Sequence, residues 1–317
     1  MPDTQVDVVV ATNRNHAYLR ESLASVKAQT WPHWRVVVVD DGSPDPSALD
    51  LVVAGVPGAR VVHQRSGGVS AARNRGLAEG VAPLVAFLDD DDIWRPDRLE
   101  RQVRAWEAAP HHVAVHSAGW YIDAEGQPFG EGWRARQALS RRYLSGEEPL
   151  PRIVTLLVRR DICERVGGFD ETLSLAEDND FTLRLAQVGE FLSLDDALVG
   201  YRRHAGNVSA PGALAGRQST ERMLRAQIGR ALDREDVAAA LLLRENLRRF
   251  LKASAVEALH GTAGALRARD ARTFAAELRW AGRPAPAAAA VRASAVTASQ
   301  ALHRTGWTSL RWGDAHR

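Results

Sequence analysis

The stretch LVAFLDDDDIW, residues Leu84–Trp94, joins an apolar run to four consecutive aspartates. The apolar run is continuous rather than alternating, which is typical of a strand buried on both faces. Strands of this kind occur in parallel sheets covered by helices, so Leu84–Asp89 predicts one strand of an α/β domain. The aspartates that follow repel one another and favour a counter-charge. Their place at the end of a buried strand therefore indicates a site that supplies one.

Similar segments on both sides of Leu84–Asp89 extend the α/β pattern. Further strands are predicted at Val6–Thr12, Arg35–Asp41, Ala59–Gln64, Val113–Ala118, Arg152–Arg160 and Ala197–His204. Helices are predicted at Ala17–Gln29, Val69–Gly80, Pro96 to about Ala108 and Glu177–Gly189. Residues 121–150, rich in Gly, Glu and Arg, and residues 202–216 are expected to form flexible loops.

The pattern changes near Arg217, where Ala, Leu and Arg begin to recur at helical spacing. Three or four helices are predicted from there on, with an interruption at 282–287. A chain of 317 residues is too long for one small core. We therefore predict an α/β domain over residues 1–210 and a basic α-helical region over residues 211–317.

The two predicted parts differ in charge. Residues 1–201 hold 21 Lys and Arg against 30 Asp and Glu, whereas residues 202–317 hold 20 against 9. Different roles are expected of them. The basic part lacks a basic patch interleaved with aromatic residues, which argues against nucleic-acid binding. Contact with an anionic membrane, packing on the α/β domain and a homo-oligomer interface all stay open for it.

The composition, 45% hydrophobic and 25% charged, is that of a soluble globular protein. Apolar runs such as Val237–Leu243 are too short to span a membrane. The single cysteine, Cys163, excludes an internal disulfide and fits a reducing compartment. Asp3 and Asp7 lie where a signal sequence would be apolar, so no signal sequence is expected. These features favour a cytoplasmic protein, with attachment to the inner face of the cell membrane as the alternative.

Polar residues follow several of the predicted strands. They are Thr12, Asp40 with Asp41, the loop Ser66–Ser70 and Asp89–Asp92. In an open parallel sheet these positions meet at one edge, where ligands bind. The glycine-rich loop leads into a helix carrying Arg73 and Arg75, which suits a phosphate group. Carboxylates beside a phosphate need a divalent cation, so the pattern predicts Mg²⁺ or Mn²⁺ with a diphosphate.

Six motifs in order give the chain a resemblance to a known family. They are VVDDGS (Val38–Ser43), GGVSAARNRGL (Gly67–Leu77), FLDDDDIW (Phe87–Trp94), VGGFDE (Val166–Glu171), AEDND (Ala176–Asp180) and YRRHAGNVS (Tyr201–Ser209). Over about residues 5–210 the chain resembles the family-two glycosyltransferases of bacterial type, which are inverting and metal-dependent. The resemblance implies a GT-A fold, a Rossmann-like and mostly parallel sheet with helices on both faces. It does not extend to the C-terminal helices.

The resemblance also implies roles for individual residues. The nucleotide-sugar donor would meet Thr12, Arg14, Asp40, Asp41, Arg73 and Asp90, with Asp40 on the base, Asp90 on the ribose and Arg73 on the diphosphate. Asp89 and Asp91 match the metal pair of the family's D-x-D pattern, with Asp91 as the direct ligand. His204 would join the metal or the diphosphate when a loop closes. Asp178 matches the general base that takes a proton from the acceptor hydroxyl.

The first motif departs from the family, because ATNRN (Ala11–Asn15) replaces the usual Pro-Thr-Tyr-Asn-Arg. Asn13 stands where an aromatic residue would stack on the nucleobase. UDP is the expected carrier by family frequency, with dTDP and GDP as alternatives. The resemblance implies a glycan, glycolipid or small-molecule acceptor.

Other interpretations of the same residues stay open. Asp40–Ser43 also suits a plain turn, and Trp120 and Trp133 suit either an acceptor sugar or the core. A phosphohydrolase with Asp89 as nucleophile is disfavoured, because such enzymes need a downstream lysine and none occurs between Lys27 and Lys252. The remaining alternative is a GT-A protein with a degenerate donor site that acts as a binding or membrane-surface module.

Overall fold

The computed structural model describes residues 4–14, 17–204, 213–267, 273, 275–276 and 280. Within these residues the predicted α/β architecture is confirmed, with nine strands in one mixed sheet and helices packed against it. The strands are β1 (Val6–Thr12), β2 (Trp34–Asp41), β3 (Ala59–Gln64), β4 (Leu84–Asp89), β5 (Ile93–Trp94), β6 (Ala114–Ile122), β7 (Pro128–Trp133), β8 (Leu157–Arg159) and β9 (Phe191–Arg202). The helices are α1 (Ala17–Lys27), α2 (Pro46–Val53), α3 (Val69–Glu79), α4 (Arg98–Ala108), α5 (Ser140–Leu144), α6 (Arg160–Arg165), α7 (Glu177–Ala186), α8 (Ala213–Asp233) and α9 (Val237–Arg267).

The strand order is β3-β2-β1-β4-β8-β6-β9-β5, and β7 pairs with β6. Strands β3, β2, β1 and β4 run parallel, as do β6 and β9. The short β8 lies antiparallel between β4 and β6 and joins the two parallel groups. In this register Thr12 is next to Asp40 and Ala11 is next to Asp89. The carboxyl ends of β1, β2 and β4 therefore meet at one edge of the sheet.

The continuous apolar runs form the core, as their pattern predicts. Phe87 in β4 is 1% exposed and packs edge-on against Phe169 and Phe181. The buried face of α1 carries Leu19, Leu23 and Val26 at helical spacing. This packing fixes β4, and the aspartate run that leaves its end, on a rigid base.

The expectation of a flexible loop over residues 121–150 is wrong. This segment holds the end of β6, the strand β7 and the helix α5. The sequence of β7 shows no hydrophobic pattern from which a strand could be predicted, because its side chains are mostly exposed. Its glycine content serves close packing, since a Cβ at Gly132 would collide with the carbonyl oxygen of Gly119 and a Cβ at Gly119 would collide with the Trp133 ring.

The strand predicted over Arg152–Arg160 is also shorter than expected. A single 3₁₀ turn, Ile153–Thr155, precedes β8, and α6 begins at Arg160. Arg160 starts the helix and donates to Asp7 Oδ2 (2.6 Å), a buried carboxylate of β1. Cys163 in α6 is 1% exposed, and burial raises the pKa of its thiol to about 12, which suits core packing.

The C-terminal helices α8 and α9 pack on the sheet domain. Met223, Leu224 and Leu243 belong to the same buried hydrophobic cluster as the strands β1 and β4. The predicted interruption at 282–287 lies outside the described residues, as do residues 205–212 of the predicted loop 202–216. For residues 213–216 the loop prediction is wrong, because α8 begins at Ala213. Among the helices that are described, none has the length and apolar character needed to cross a membrane.

Candidate active site

A cavity of about 520 Å³ lies at the edge of the sheet where β1 and β4 end. Eight of the ten predicted site residues line it: Thr12, Arg14, Asp41, Arg73, Asp89, Asp90, Asp91 and Asp178. Asp40 and His204 do not line it. His204 contacts Asp91, which does, and Asp40 is the strand neighbour of Thr12. Residues that are 166 positions apart in the sequence, Thr12 and Asp178, thus share one site.

Arg73 occupies the centre of this site. The residue belongs to α3 and its side chain is 5% exposed. Its guanidinium donates to Asp178 Oδ1 (2.5 Å), to Asp89 Oδ1 (2.8 Å) and to Glu177 Oε1 (3.4 Å). Burial by itself would lower the pKa of Arg73, but Asp178, Asp89 and Glu177 raise that pKa above its ordinary value. One arginine therefore stays charged and connects the end of β4 to the start of α7.

Asp178 lies in the first turn of α7, directly after Glu177. Burial raises the pKa of Asp178 to about 7; Glu177 and Asp89 act in the same direction, while Arg73 opposes them. Ala176, the residue before the helix, has a φ of 67°, a left-handed conformation that is costly for a residue other than glycine. The Asp178 side chain is 36% exposed toward the cavity, so a hydroxyl group can reach it, and a carboxyl with a pKa near neutrality is suited to accept a proton from that group.

The aspartate run holds negative charge in a small space. Asp91 Oδ2 lies 3.0 Å from His204 Nε2. Burial raises the pKa of Asp91, and Asp89 and Asp90 add to this, while His204 opposes it. Part of this rise comes from repulsion by Asp89 and Asp90, which a bound cation would relieve.

No group of three or more His, Cys, Asp or Glu within the described residues is arranged to hold a metal ion by itself. Proteins commonly bind Mg²⁺ through one or two carboxylates together with the phosphates of a substrate. Carboxylate oxygens are also the donor type that Mg²⁺ and Mn²⁺ prefer. The residues present fit a cation that shares its coordination with a diphosphate.

Thr12, Arg14 and Asp90 form a second group at the cavity wall. The Thr12 hydroxyl lies 2.6 Å from Asp90 Oδ2 and 2.8 Å from the carbonyl oxygen of Arg14. The contact fixes the direction of Asp90, which separates the two aspartates of the D-x-D pattern. Asn13, which stands at the position of the family's aromatic residue, also lines the cavity.

Asp40 is buried behind the cavity and is held by two donors. Its Oδ1 accepts from the backbone N–H of Ser43 (2.7 Å), and its Oδ2 lies 2.7 Å from His63 Nδ1. Burial alone would raise the pKa of Asp40, but the hydrogen bonds from His63 and Ser43 lower it overall. The same bond to Asp40 raises the pKa of His63, whose Nε2 is 3.1 Å from Asp50 Oδ1. Sequence reasoning missed His63, although its place in β3 beside Asp40 follows from the β2–β3 register.

Asp41 holds the glycine-rich loop in place. Its carboxylate accepts from the backbone N–H groups of Gly67 (2.7 Å) and Gly68 (2.8 Å). The expectation that this loop offers its N–H groups to a phosphate is therefore wrong for these two glycines, because Asp41 already uses them. Arg75 is likewise turned to an exposed pair with Glu79 and does not line the cavity.

Hydrogen bonds from Arg202 join the end of β9 to the aspartate run that follows β4. The backbone N–H of Arg202, at the end of β9, donates to Asp92 Oδ1 (2.8 Å), and both side chains are 0% exposed. Arg202 also donates to the carbonyl oxygen of Asp91 (2.7 Å). This contact brings the YRRH segment, and with it His204, to the aspartate run. Asp92 is thus a buried structural residue.

The family model described as Glycosyl transferase family 2 matches residues 7–167, which extend from β1 to α6 and include the aspartate run. Asp178 and His204 lie beyond the matched residues. The chain is 28% identical over 237 residues to a protein of Nostoc sp. named uncharacterized glycosyltransferase alr2836. The aligned residues cover 70% of this chain and 71% of that protein.

Other similar proteins are longer or more distant. An uncharacterized glycosyltransferase of Rickettsia felis is 28% identical over 137 residues; the match spans 41% of this chain and only 23% of that protein. The crystal structure of TarS 1-349 from S. aureus in complex with UDP-GlcNAc superposes with a TM-score of 0.59 at 19% identity. That match covers 88% of this chain and 91% of the TarS chain, and it supports a GT-A-like fold.

Proposed function

The chain belongs to glycosyl transferase family 2, and from this premise we propose that it is a metal-dependent, inverting glycosyltransferase acting on a nucleotide-diphosphate sugar. The observation that carries the proposal is the joint contact of Arg73 with Asp89 and Asp178. The proposal is supported by the presence, around one cavity, of a guanidinium that would face the leaving diphosphate, a carboxylate of the D-x-D pattern and a carboxyl that would act as the base. These are the groups that glycosyl transfer from such a donor requires.

Asp178 is proposed as the general base. Its carboxylate takes the proton of an acceptor hydroxyl while that oxygen attacks the anomeric carbon and the bond to the diphosphate breaks. The attack comes from the face opposite to the leaving group, so a single displacement inverts the configuration. With a pKa near 7, Asp178 is a stronger base than an ordinary aspartate and is still largely ionised at slightly alkaline pH.

Asp89 and Asp91 would hold Mn²⁺ or Mg²⁺, and His204 lies against Asp91 to complete or orient that site. When bound, the cation neutralises the diphosphate and stabilises it as a leaving group. Arg73, which stays charged, contributes a second positive group toward the diphosphate. The charge of Arg73 would stabilise the negative charge that grows on the leaving oxygen as the sugar departs.

The proposed donor is a UDP-sugar. The support is the family and the likeness to a TarS structure with UDP-GlcNAc, which is a property of that protein. Asn13 in place of an aromatic residue keeps GDP and dTDP as alternatives. The proposed acceptor is a hydroxyl of a glycan, a glycolipid or a small molecule. A cytoplasmic location is proposed on the buried, unpaired thiol of Cys163.

The test is calorimetric titration of UDP, GDP and dTDP into the protein with and without Mn²⁺. One nucleotide should bind in a metal-dependent way, and Asp91→Ala should abolish the metal dependence. Asp161→Ala is the matched control, because Asp161 is exposed and pairs only with Arg159 of those residues that the structure describes. If no nucleotide binds under any condition, the chain has kept the fold without a donor site and the proposal fails.

Inversion is tested on the product. Proton NMR of the glycoside formed from an α-linked donor should show a β-anomer at the earliest time points. An α-anomer would contradict the single displacement while leaving glycosyl transfer intact.

A further inference from the structure

A second cavity, of about 950 Å³, adjoins the active-site cavity on the side of the C-terminal helices. Its walls come from both parts of the chain: Trp133 of β7, Tyr143 of α5, Met223 of α8 and Phe250 of α9. The two cavities share a wall that includes Arg152 and Asn179. Asn179 directly follows the proposed base, Asp178. The second cavity therefore ends where an acceptor hydroxyl has to arrive.

Arg152 lies in that shared wall among three aromatic rings. Its guanidinium carbon is 4.6 Å from the centre of the Trp133 ring, 5.1 Å from that of Tyr201 and 5.7 Å from that of Tyr121. Its Nη2 donates to the Tyr121 hydroxyl (3.0 Å). The rings hold the guanidinium in one orientation, as cation–π contacts do. The Arg152 side chain is half-buried and held in one orientation, so its planar guanidinium is pre-oriented to bind a ligand.

Within the described part of the chain, no carboxylate lies within 4.0 Å of the Arg152 guanidinium, so its charge has no ion-pair partner there. Three other arginines line the second cavity. Arg134 pairs with Asp195 and Arg249 with Glu245, whereas Arg136, like Arg152, forms no ion pair with a described residue. Glu148, one of the cavity's two acidic residues, pairs with Arg142 (2.9 Å). A guanidinium without a carboxylate partner between two cavities is most simply explained by an anionic ligand.

A second polar group in the cavity also lacks a partner. Ser117 in β6 is 1% exposed and lines the cavity, and its hydroxyl makes no hydrogen bond within the described residues. Its neighbour His116 differs, since His116 Nε2 is satisfied by Ser193 Oγ at 2.6 Å. Buried polar groups are normally hydrogen-bonded, so the Ser117 hydroxyl is an unsatisfied polar group within the wall of the cavity.

We propose that the second cavity binds the acceptor, and that the acceptor carries a phosphate or carboxylate group which binds Arg152. The inference rests on the proposed glycosyl transfer and deepens it, because it names the acceptor class. A planar guanidinium forms two parallel hydrogen bonds with either anion. With the anion held at Arg152, the rest of the acceptor lies toward Ser117 and its reacting hydroxyl toward Asp178. Arg152 is thus a specificity-determining residue.

Ligand-observed NMR tests the proposal on the full chain saturated with UDP and Mg²⁺. The probes are glycerol 3-phosphate, glucuronate and uncharged glucose. At least one charged probe should bind more tightly than glucose, and the stronger of the two identifies phosphate or carboxylate. In Arg152→Gln that probe should bind about tenfold more weakly, which is the usual effect of removing a charged hydrogen-bond partner. Arg104→Gln should match the native chain, since Arg104 is exposed and lines neither cavity.

A variant on a different element keeps the test valid if Arg152→Gln folds poorly. Ala253→Trp, from α9, fills the far side of the second cavity and leaves Arg152 in place. It should weaken the charged probe and leave UDP affinity unchanged. The proposal is overturned if the charged probes bind no better than glucose, if Ala253→Trp has no effect, or if Arg152→Gln weakens UDP instead. Failure of UDP to bind the native chain would contradict the proposed function, a separate result.

Discussion

Arg73 Nη1 lies 2.5 Å from Asp178 Oδ1, and the same guanidinium reaches Asp89 through Nη2 at 2.8 Å. One buried side chain thus couples the helix start that carries the candidate base to the strand end that carries the D-x-D pattern. Movement of Arg73 toward a diphosphate would change the charge felt by Asp178. The proposed donor site and the proposed base are therefore electrostatically coupled.

The first prediction concerns the pH dependence of turnover. Asp178 can act as a base only when ionised, and its pKa is raised to about 7. The value of kcat should therefore be low in acid, rise with pH, and level off above about 7. Asp178→Asn should reduce kcat by about 10²–10⁴-fold, the usual contribution of general base catalysis. Retained UDP binding in this variant is the control, and a kcat close to that of the native chain would exclude Asp178 as the base.

The second prediction concerns Arg73. Because Arg73 lowers the pKa of Asp178, its replacement by an uncharged side chain should raise that pKa. Arg73→Met should therefore move the acid limb of the pH–kcat profile to higher pH and should weaken UDP binding. Arg73→Lys keeps the charge and should leave the acid limb closer to that of the native chain. An acid limb that moves to lower pH in Arg73→Met would contradict the coupling between the two residues.

The residues of the candidate site could be predicted where a short stretch of sequence or a motif identifies them. The strand Leu84–Asp89 ends in its aspartates within one stretch, and motif order supplied Arg73 and Asp178. The role of His63 was not predictable, since only the register of β2 and β3 places it beside Asp40. The strand β7 escaped for a different reason: five of its six residues are exposed and two are glycines, so it lacks any apolar alternation. Arg152 gains its aromatic surroundings from β6, β7 and β9, a long-range arrangement that no short pattern encodes.

The third prediction concerns the attachment of α8 to the helix that carries the base. Asp180, 0% exposed in α7, accepts from Arg230 (2.5 Å) and Gln227 (2.8 Å) of α8 and from Arg184 (2.8 Å). Arg230→Ala leaves a buried carboxylate with one donor fewer, and should lower the free energy of unfolding by about 2 kcal/mol. Urea denaturation measures this difference.

The control for that measurement is Arg248→Ala, which breaks an exposed pair with Glu245 in α9. Its effect should be below about 0.5 kcal/mol. Because α8 contributes to the hydrophobic cluster of the sheet domain, the native chain should unfold through a single transition that includes both. Equal effects of the two variants would indicate that α8 does not depend on the buried carboxylate.

The fourth prediction concerns the aromatic surroundings of Arg152. A Cβ at Gly119 in β6 would collide with the Trp133 ring and would lie 2.5 Å from the carbonyl oxygen of Val199, a backbone atom that cannot move aside. Gly119→Ala should therefore destabilise the protein by about 1–3 kcal/mol, as overpacking does. Gly229→Ala in α8 is the matched control, because nothing lies within 4 Å of its added Cβ and helix propensity favours alanine by about 1 kcal/mol. Thermal unfolding should thus show opposite shifts for the two variants.

The same substitution should affect ligand binding, because the Trp133 ring packs against the Arg152 guanidinium. Gly119→Ala should therefore also weaken binding of the charged acceptor probe. A stably folded variant with unchanged probe binding would show that the ring does not position the guanidinium.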